Sequence, residues 1–190
     1  MNLMYKFGNK LDINFIIISP DPNISRLKGT VRSIKNNYRE NTNIICLVEK
    51  KTKKTNIDEM SEVCPTFRGG DTITSLMNKG MKKSKEGWCM FIIEGALIPK
   101  KIEYKYSSWI ESEQDVLFPV LMLHNRDGIP KKIFGNFSNC TLNGILIHKK
   151  LFLEVGNFSE NPIRISKEFW SYDAFEKGAN FKGILGIKIC

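Results

Sequence analysis

Alanine is nearly absent from this chain: Ala96, Ala174 and Ala179 are the only three in 190 residues. Lysine, isoleucine and asparagine are abundant instead, a bias that an A/T-rich genome would impose, so part of the lysine content is compositional. Histidine is almost as scarce, with His124 and His148 the only two, both far in sequence from any cysteine. The five cysteines, Cys46, Cys64, Cys89, Cys140 and Cys190, are an odd, widely spaced set without a C-x-x-C pair. Such spacing argues against a zinc site, and the chain's size and context argue against a disulfide framework. Cys46 and Cys89 fall inside predicted strands, where a thiol serves as a small core group. No apolar run approaches the roughly 18 residues of a membrane-spanning helix. The N-terminal apolar run is short and reads as a first β-strand, not as a signal peptide. Without a secretory signal, the sequons at Asn23, Asn136, Asn139 and Asn157 carry little meaning. These absences together describe a reduced, cytoplasmic protein.

What is present fits one globular domain over residues 1–190, since 42% hydrophobic and 26% charged residues are ordinary proportions. The net charge of +9 raises the question of nucleic acid. Its densest run is Lys50, Lys51, Lys53 and Lys54, just past a predicted strand. Nucleic-acid recognition usually adds an ordered motif or interleaved aromatics, and this run has neither. A solvated loop, or a phosphate-bearing ligand, accounts for it better.

The elements alternate. Asn14 to Ser19 is a continuous apolar strand, of the kind buried on both faces in a parallel sheet. After Pro20-Asp21-Pro22, Ser25 is a candidate N-cap for a helix to about Asn37, with Leu27, Val31 and Ile34 on one face. Asn43 to Glu49 is a second buried strand. A short helix follows around Asp58 to Val63, then an extended piece at Pro65 to Phe67. Gly69-Gly70-Asp71 turns the chain into a helix over Thr74 to Lys83, ahead of a strand at Trp88 to Ile93. This order predicts an α/β fold with a mostly parallel central sheet flanked by helices. The second half is less regular. It offers a strand at Val116 to Leu123, a turn at Asn125 to Gly128, and a loop or edge strand at Ile133 to Asn139. Gly144 to Ile147 leads into a helix at Lys149 to Val155, closed by Gly156 as a C′ residue. A helix from Ser166 to Lys177 precedes a last strand at Phe181 to Ile189.

Four stretches, in order, resemble the family 2 glycosyltransferases. The first is the N-terminal strand, turn and helix. The second is Asn78 to Pro99, in which Asn78, Gly80, Trp88, Phe91 and Pro99 fall at the family's positions without a gap. The third is Asn143 to Glu160, whose ending Val155-Gly156-Asn157-Phe158-Ser159-Glu160 is similar to the family's acceptor-side Val-Gly-Gly-Phe-Asp-Glu. The fourth, Glu168 to Phe181, resembles its acidic, aromatic helix closed by Lys-Gly and an aromatic. The resemblance implies a single GT-A-like domain, with a nucleotide-binding half over about 12–100 and an acceptor-side half over about 101–190.

It also implies a site. Ligands of open α/β sheets bind beyond the carboxyl ends of the strands, where Pro20, Asp21, Glu49 and Glu94 would meet. In the family, an acidic residue ending the second strand contacts the uridine or ribose, and Glu49 matches it. Asn78 belongs to the same nucleotide-binding pattern. The family's two metal aspartates, however, fall on Ile93 and Gly95. Glu94 alone is then left to hold Mn2+ or Mg2+, and weakly. Arg68, Lys100, Lys101 and Lys50 are candidate substitutes, because a basic side chain can offset diphosphate charge. For the general base the resemblance points to the start of the last helix, where Glu168 is the nearest carboxylate and Asp173 follows about a turn later. Trp109 and Trp170 are candidates to stack on sugar faces.

The resulting expectation is transfer of a sugar from a nucleotide donor, UDP-linked, to a hydroxyl of a glycan, lipid or protein acceptor. Two alternatives stay open. One is an inactive module that keeps the fold, motivated by the lost aspartates. The other is a basic nucleic-acid-binding protein, which rests on charge alone.

Overall fold

The computed structural model describes residues 11–38, 42–124, 130–134, 142–160 and 166–185, with 120–124, 130–134, 166–169 and 185 described by their backbone. The predicted turn at 125–128, the residues after 134 in the predicted edge segment and the last residues of the final strand lie outside these.

The apolar run near the N-terminus forms β1 (Ile13–Ser19), and every residue of it is buried. Such a run suits a strand covered on both faces, and β1 is central. It pairs in parallel with β2 (Ile44–Val48) on one side and β4 (Trp88–Ile93) on the other. The short β3 (Thr66–Arg68) adds in parallel to the outer edge of β2. Beyond β4 the sheet becomes mixed. Here β7 (Ile145–His148) runs antiparallel to both β4 and β5 (Asp115–His124). In turn β5 carries β8 (Asn180–Leu185) in parallel and β6 (Pro130–Phe134) in antiparallel pairing. The order is β3-β2-β1-β4-β7-β5-β6, with β8 on β5.

Helices cover both faces. One core lies under α1 (Ile24–Asn37), α2 (Lys54–Ser61) and α4 (Ile102–Ser107), which contribute Leu27, Val31, Ile34, Met60, Ile102 and Tyr106. The other lies under α3 (Ile73–Lys83), α5 (Lys149–Val155) and α6 (Ser166–Glu176), with Leu76, Met81, Phe152, Trp170 and Ala174. Period two along the strands divides the contacts: Phe15 and Ile17 face the first core, Ile16 and Ile18 the second. Through α1 and α2 the chain steps outward from β1 to β3 on one face. It then returns through α3 on the other face to place β4 on the far side of β1. That reversal creates a switch point between β1 and β4, the position where open α/β sheets hold ligands.

The return helix runs close to the sheet because of Gly80. A Cβ on Gly80 would stand 2.4 Å from Ile16 Cγ2 and 3.4 Å from Leu47 Cδ2, both in fully buried side chains. Gly29, on the exposed face of α1, has nothing within 4 Å of such a Cβ. Alanine gains about 1 kcal/mol over glycine in a helix interior, but overpacking a core costs about 1–3 kcal/mol. Gly29→Ala is therefore expected to stabilise, and Gly80→Ala to destabilise by about 1–2 kcal/mol. Urea denaturation of the two variants checks this, and shifts of the same sign would refute the close-approach account.

Candidate functional site

At the switch point the strand ends deliver Ser19, Pro20 and Asp21 from β1, Glu49 beyond β2, Arg68 from β3, and Glu94 with Gly95 beyond β4. Glu94 is the centre of this rim. Its side chain is only 2% exposed. Oε2 accepts a hydrogen bond from Ser19 Oγ at 2.5 Å, and Oε1 accepts one from the Asn23 backbone N–H at 2.9 Å. Asn23 is the N-cap of α1, its side chain accepting from the Arg26 N–H. The carboxylate thus ties the β1–α1 turn to the end of β4, close to the positive end of α1.

Arg26, which the sequence reading passed over, completes the group. Its guanidinium donates from Nη2 to the Asp21 carbonyl at 2.6 Å. The same nitrogen lies 3.6 Å from Asp21 Oδ2 and 3.9 Å from Glu94 Oε2. Its stem crosses Gly95, where Cδ would be 3.5 Å from a Cβ at that residue. The available signal was a basic residue in the first turn of α1, a turn without an acidic residue, whereas acids are favoured there.

These residues do not fit a divalent cation. Both oxygens of Glu94 already accept protein hydrogen bonds, and Arg26 Nη2 lies 3.9 Å from Oε2. The two flanking positions carry Ile93 and Gly95, with Gly95 at φ +96°, a conformation that disfavours an aspartate. Among the described residues, no group of three or more His, Cys, Asp or Glu side chains is arranged to hold a metal ion.

The other candidates divide between the rim and elsewhere. Glu49 is there, half-buried, with Oε2 2.8 Å from Lys51 Nζ. The Glu49 carboxylate holds the Lys51 ammonium pKa above its usual value. Arg68 is exposed at the same edge and donates to the Thr52 carbonyl at 2.9 Å. Lys100 is carried away from it. Gly95 N–H donates to Thr30 Oγ1, Ile98 N–H to Ser33 Oγ, and Asn37 Nδ2 to the Ile98 carbonyl. The segment therefore descends along α1 towards the opposite edge, and Lys100 and Lys101 follow Ile98.

Asn78 is also away from the rim, in the middle of α3 and 3% exposed. Its Nδ2 donates to the Phe158 carbonyl and Glu160 Oε1, while Oδ1 accepts from the Phe158 N–H. Its amide joins α3 to the segment after α5 and has no donor left over. Asn143 makes a second link, its Oδ1 accepting from Ile93 N–H at 2.6 Å.

The start of α6 lies towards the rim edge. Its C-terminal end leads into Asn180, which pairs with Asp115 at the opposite edge, and α6 packs along the sheet. The backbone of Glu168 is in the first turn; Asp173 is further down the helix and exposed. Trp170 is 2% exposed, packs on Phe158 and donates from Nε1 to the Gly156 carbonyl, so it is a core residue and does not meet solvent or sugar. Trp109 is 47% exposed. Cys46, Cys64 and Cys89 are free and buried, and burial pushes the Cys64 and Cys89 thiols up to about 11. They are protonated packing groups, as the sequence suggested for Cys46 and Cys89.

A cleft of about 570 Å³ opens at the opposite edge between Glu86, Glu113, His148 and Lys150. Burial lowers the pKa of His148 there. Concavity therefore does not single out the rim; strand topology does.

Two structures of S. aureus TarS, a glycosyltransferase, match 93% of the chain at a TM-score of 0.62 and 12% sequence identity. The chain has a GT-A-like glycosyltransferase fold. It spans 36% of one TarS chain and 59% of the other, TarS 1–349. No family model and no curated protein matches the sequence. No described helix is long and apolar enough to cross a membrane.

Proposed function

We propose that this GT-A-like domain binds a nucleotide-activated sugar, UDP-linked, along the β1/β4 rim and transfers the sugar to a hydroxyl of a glycan, lipid or protein acceptor. The observation that carries the reading is the coincidence of the switch point with the basic first turn of α1 in a glycosyltransferase fold. On this reading Glu49 accepts hydrogen bonds from ribose hydroxyls or a base N–H. Asp21 and Arg68 border the nucleotide, and the diphosphate lies near the start of α1. Glu168, at the rim end of α6, takes the acceptor hydroxyl's proton. General-base assistance of this kind is worth ~10²–10⁴-fold in rate.

A second reading has its own support. The capture of Glu94 by Ser19 and Asn23 is what a chain that keeps the fold without catalysis would have. Calorimetric titration with UDP and common UDP-sugars, with and without Mn2+, tests the proposal. Binding at millimolar concentration or tighter is expected. Absence of binding by every probe would overturn it. Binding without turnover would favour the non-catalytic module, and turnover indifferent to Glu168→Ala would remove Glu168 as the base.

A further inference from the structure

Resting on the nucleotide-sugar reading, we infer that the Arg26 guanidinium replaces the divalent cation, so that diphosphate capture at this rim is independent of metal. Three observations carry the inference. First, the stem of Arg26 lies over Gly95, the position of one of the two missing aspartates, with Cδ 3.5 Å from where its Cβ would be. The arginine stem therefore lies against the position that a cation-binding carboxylate would occupy. Secondly, Glu94 is too enclosed to serve as a metal ligand but is placed to orient a guanidinium. It is held by Ser19 and Asn23 and lies 3.9 Å from Arg26 Nη2. Thirdly, the guanidinium is anchored and open at once. It makes one hydrogen bond among the described residues, to the Asp21 carbonyl, and its side chain is 49% exposed.

The chemistry suits a phosphate. A guanidinium stays charged at any working pH and presents a planar set of N–H donors that matches two phosphate oxygens. The nearby carboxylates fix its direction without consuming its donors, because both ion-pair separations exceed hydrogen-bond length. A diphosphate approaching from solvent would displace only the 3.6 Å ion contact with the Asp21 carboxylate, whose side chain is 98% exposed, and leave the bond to the Asp21 carbonyl in place. Glu94 would remain beneath as the orienting group.

The test is binding of UDP and of inorganic pyrophosphate to the full chain in EDTA and in Mn2+, for wild type, Arg26→Gln and Arg26→Lys. Circular dichroism melts confirm that each variant is folded. The inference expects wild-type UDP affinity to change less than threefold between EDTA and Mn2+. Arg26→Gln should weaken UDP roughly 10- to 100-fold, from loss of charge-assisted hydrogen bonds, and Arg26→Lys should recover part of that. Pyrophosphate should follow the same ranking. Binding that requires Mn2+ and ignores Arg26→Gln would overturn the inference while leaving the nucleotide-sugar reading intact. If neither UDP nor UDP-sugars bind in either condition, both fail.

Discussion

Replacing Glu94 with alanine is expected to lower the stability of the fold by roughly 2–4 kcal/mol. The change strands Ser19 Oγ, on a residue with no solvent exposure, and the Asn23 backbone N–H at the start of α1. Each lost partner of a buried polar group costs about 1–3 kcal/mol. The separation from Arg26 adds less, because that guanidinium is half exposed and well solvated. Glu94→Gln is the informative companion. A glutamine amide can accept from the Asn23 N–H and donate to a reoriented Ser19 hydroxyl, so most of the stability should return. The negative charge facing Arg26 would not. Urea denaturation should thus rank wild type, then Gln, then Ala, with the Gln variant within about 1 kcal/mol of wild type. If Glu94→Ala unfolds like wild type yet abolishes a Mn2+-dependent step, the carboxylate belongs to a metal after all, and the orienting role given to it here is wrong.

The same carboxylate illustrates what could be read in advance. Glu94 was visible in the sequence as the acid at the end of a strand, but its partners Ser19 and Asn23 are more than seventy residues away. No local pattern encodes that connection. The strands β1, β2 and β4 were legible because their apolar runs are continuous, and Trp88–Ile93 was read with its observed bounds. Caps were less secure. Ser25 and Asn23 are both good capping residues, and Asn23 takes the position, with Glu94 holding its N–H from across the sheet. The α2 helix begins at Lys54, earlier than Asp58, and its N-cap Lys53 makes no side-chain bond that would have marked the start. The α4 helix was missed. It has six residues, follows Lys101 at φ +60°, and shows only Ile102 and Tyr106 as a buried apolar pair at helical spacing. Arg26 went unread for a related reason: an arginine in an exposed first turn looks like surface until Gly95 and Glu94 are folded against it. Lys100 failed in the opposite sense. It is close to Glu94 in sequence, but the bonds from residues 95–98 to α1 lead it away.

Asn78 was legible as a pattern residue and illegible as a contact, which makes its replacement the sharpest test of how the two halves are joined. Asn78→Ala is expected to destabilise by roughly 2–4 kcal/mol. It removes the partners of both the N–H and the carbonyl of Phe158, in a place where the Phe158 ring is 1% exposed and packed against Phe91, Phe152 and Trp170. Aspartate is nearly the same size and still accepts from the Phe158 N–H. Its second oxygen, however, would face the Phe158 carbonyl and Glu160 Oε1, two acceptors with no proton between them and it. Asn78→Asp should therefore be at least as damaging as Asn78→Ala at neutral pH, and the deficit should shrink on acidification as the new carboxyl takes up a proton and becomes a donor. Urea denaturation of the two variants at neutral and mildly acidic pH measures both effects. A loss below about 0.5 kcal/mol for Asn78→Ala would remove the clamp from the account. If that variant were stable but unable to bind UDP, Asn78 would instead be the nucleotide-binding residue that the sequence pattern implied. The amide's present partners, two on Phe158 and one on Glu160, argue that its work is to seat the segment after α5 against the helix that returns the chain to β4.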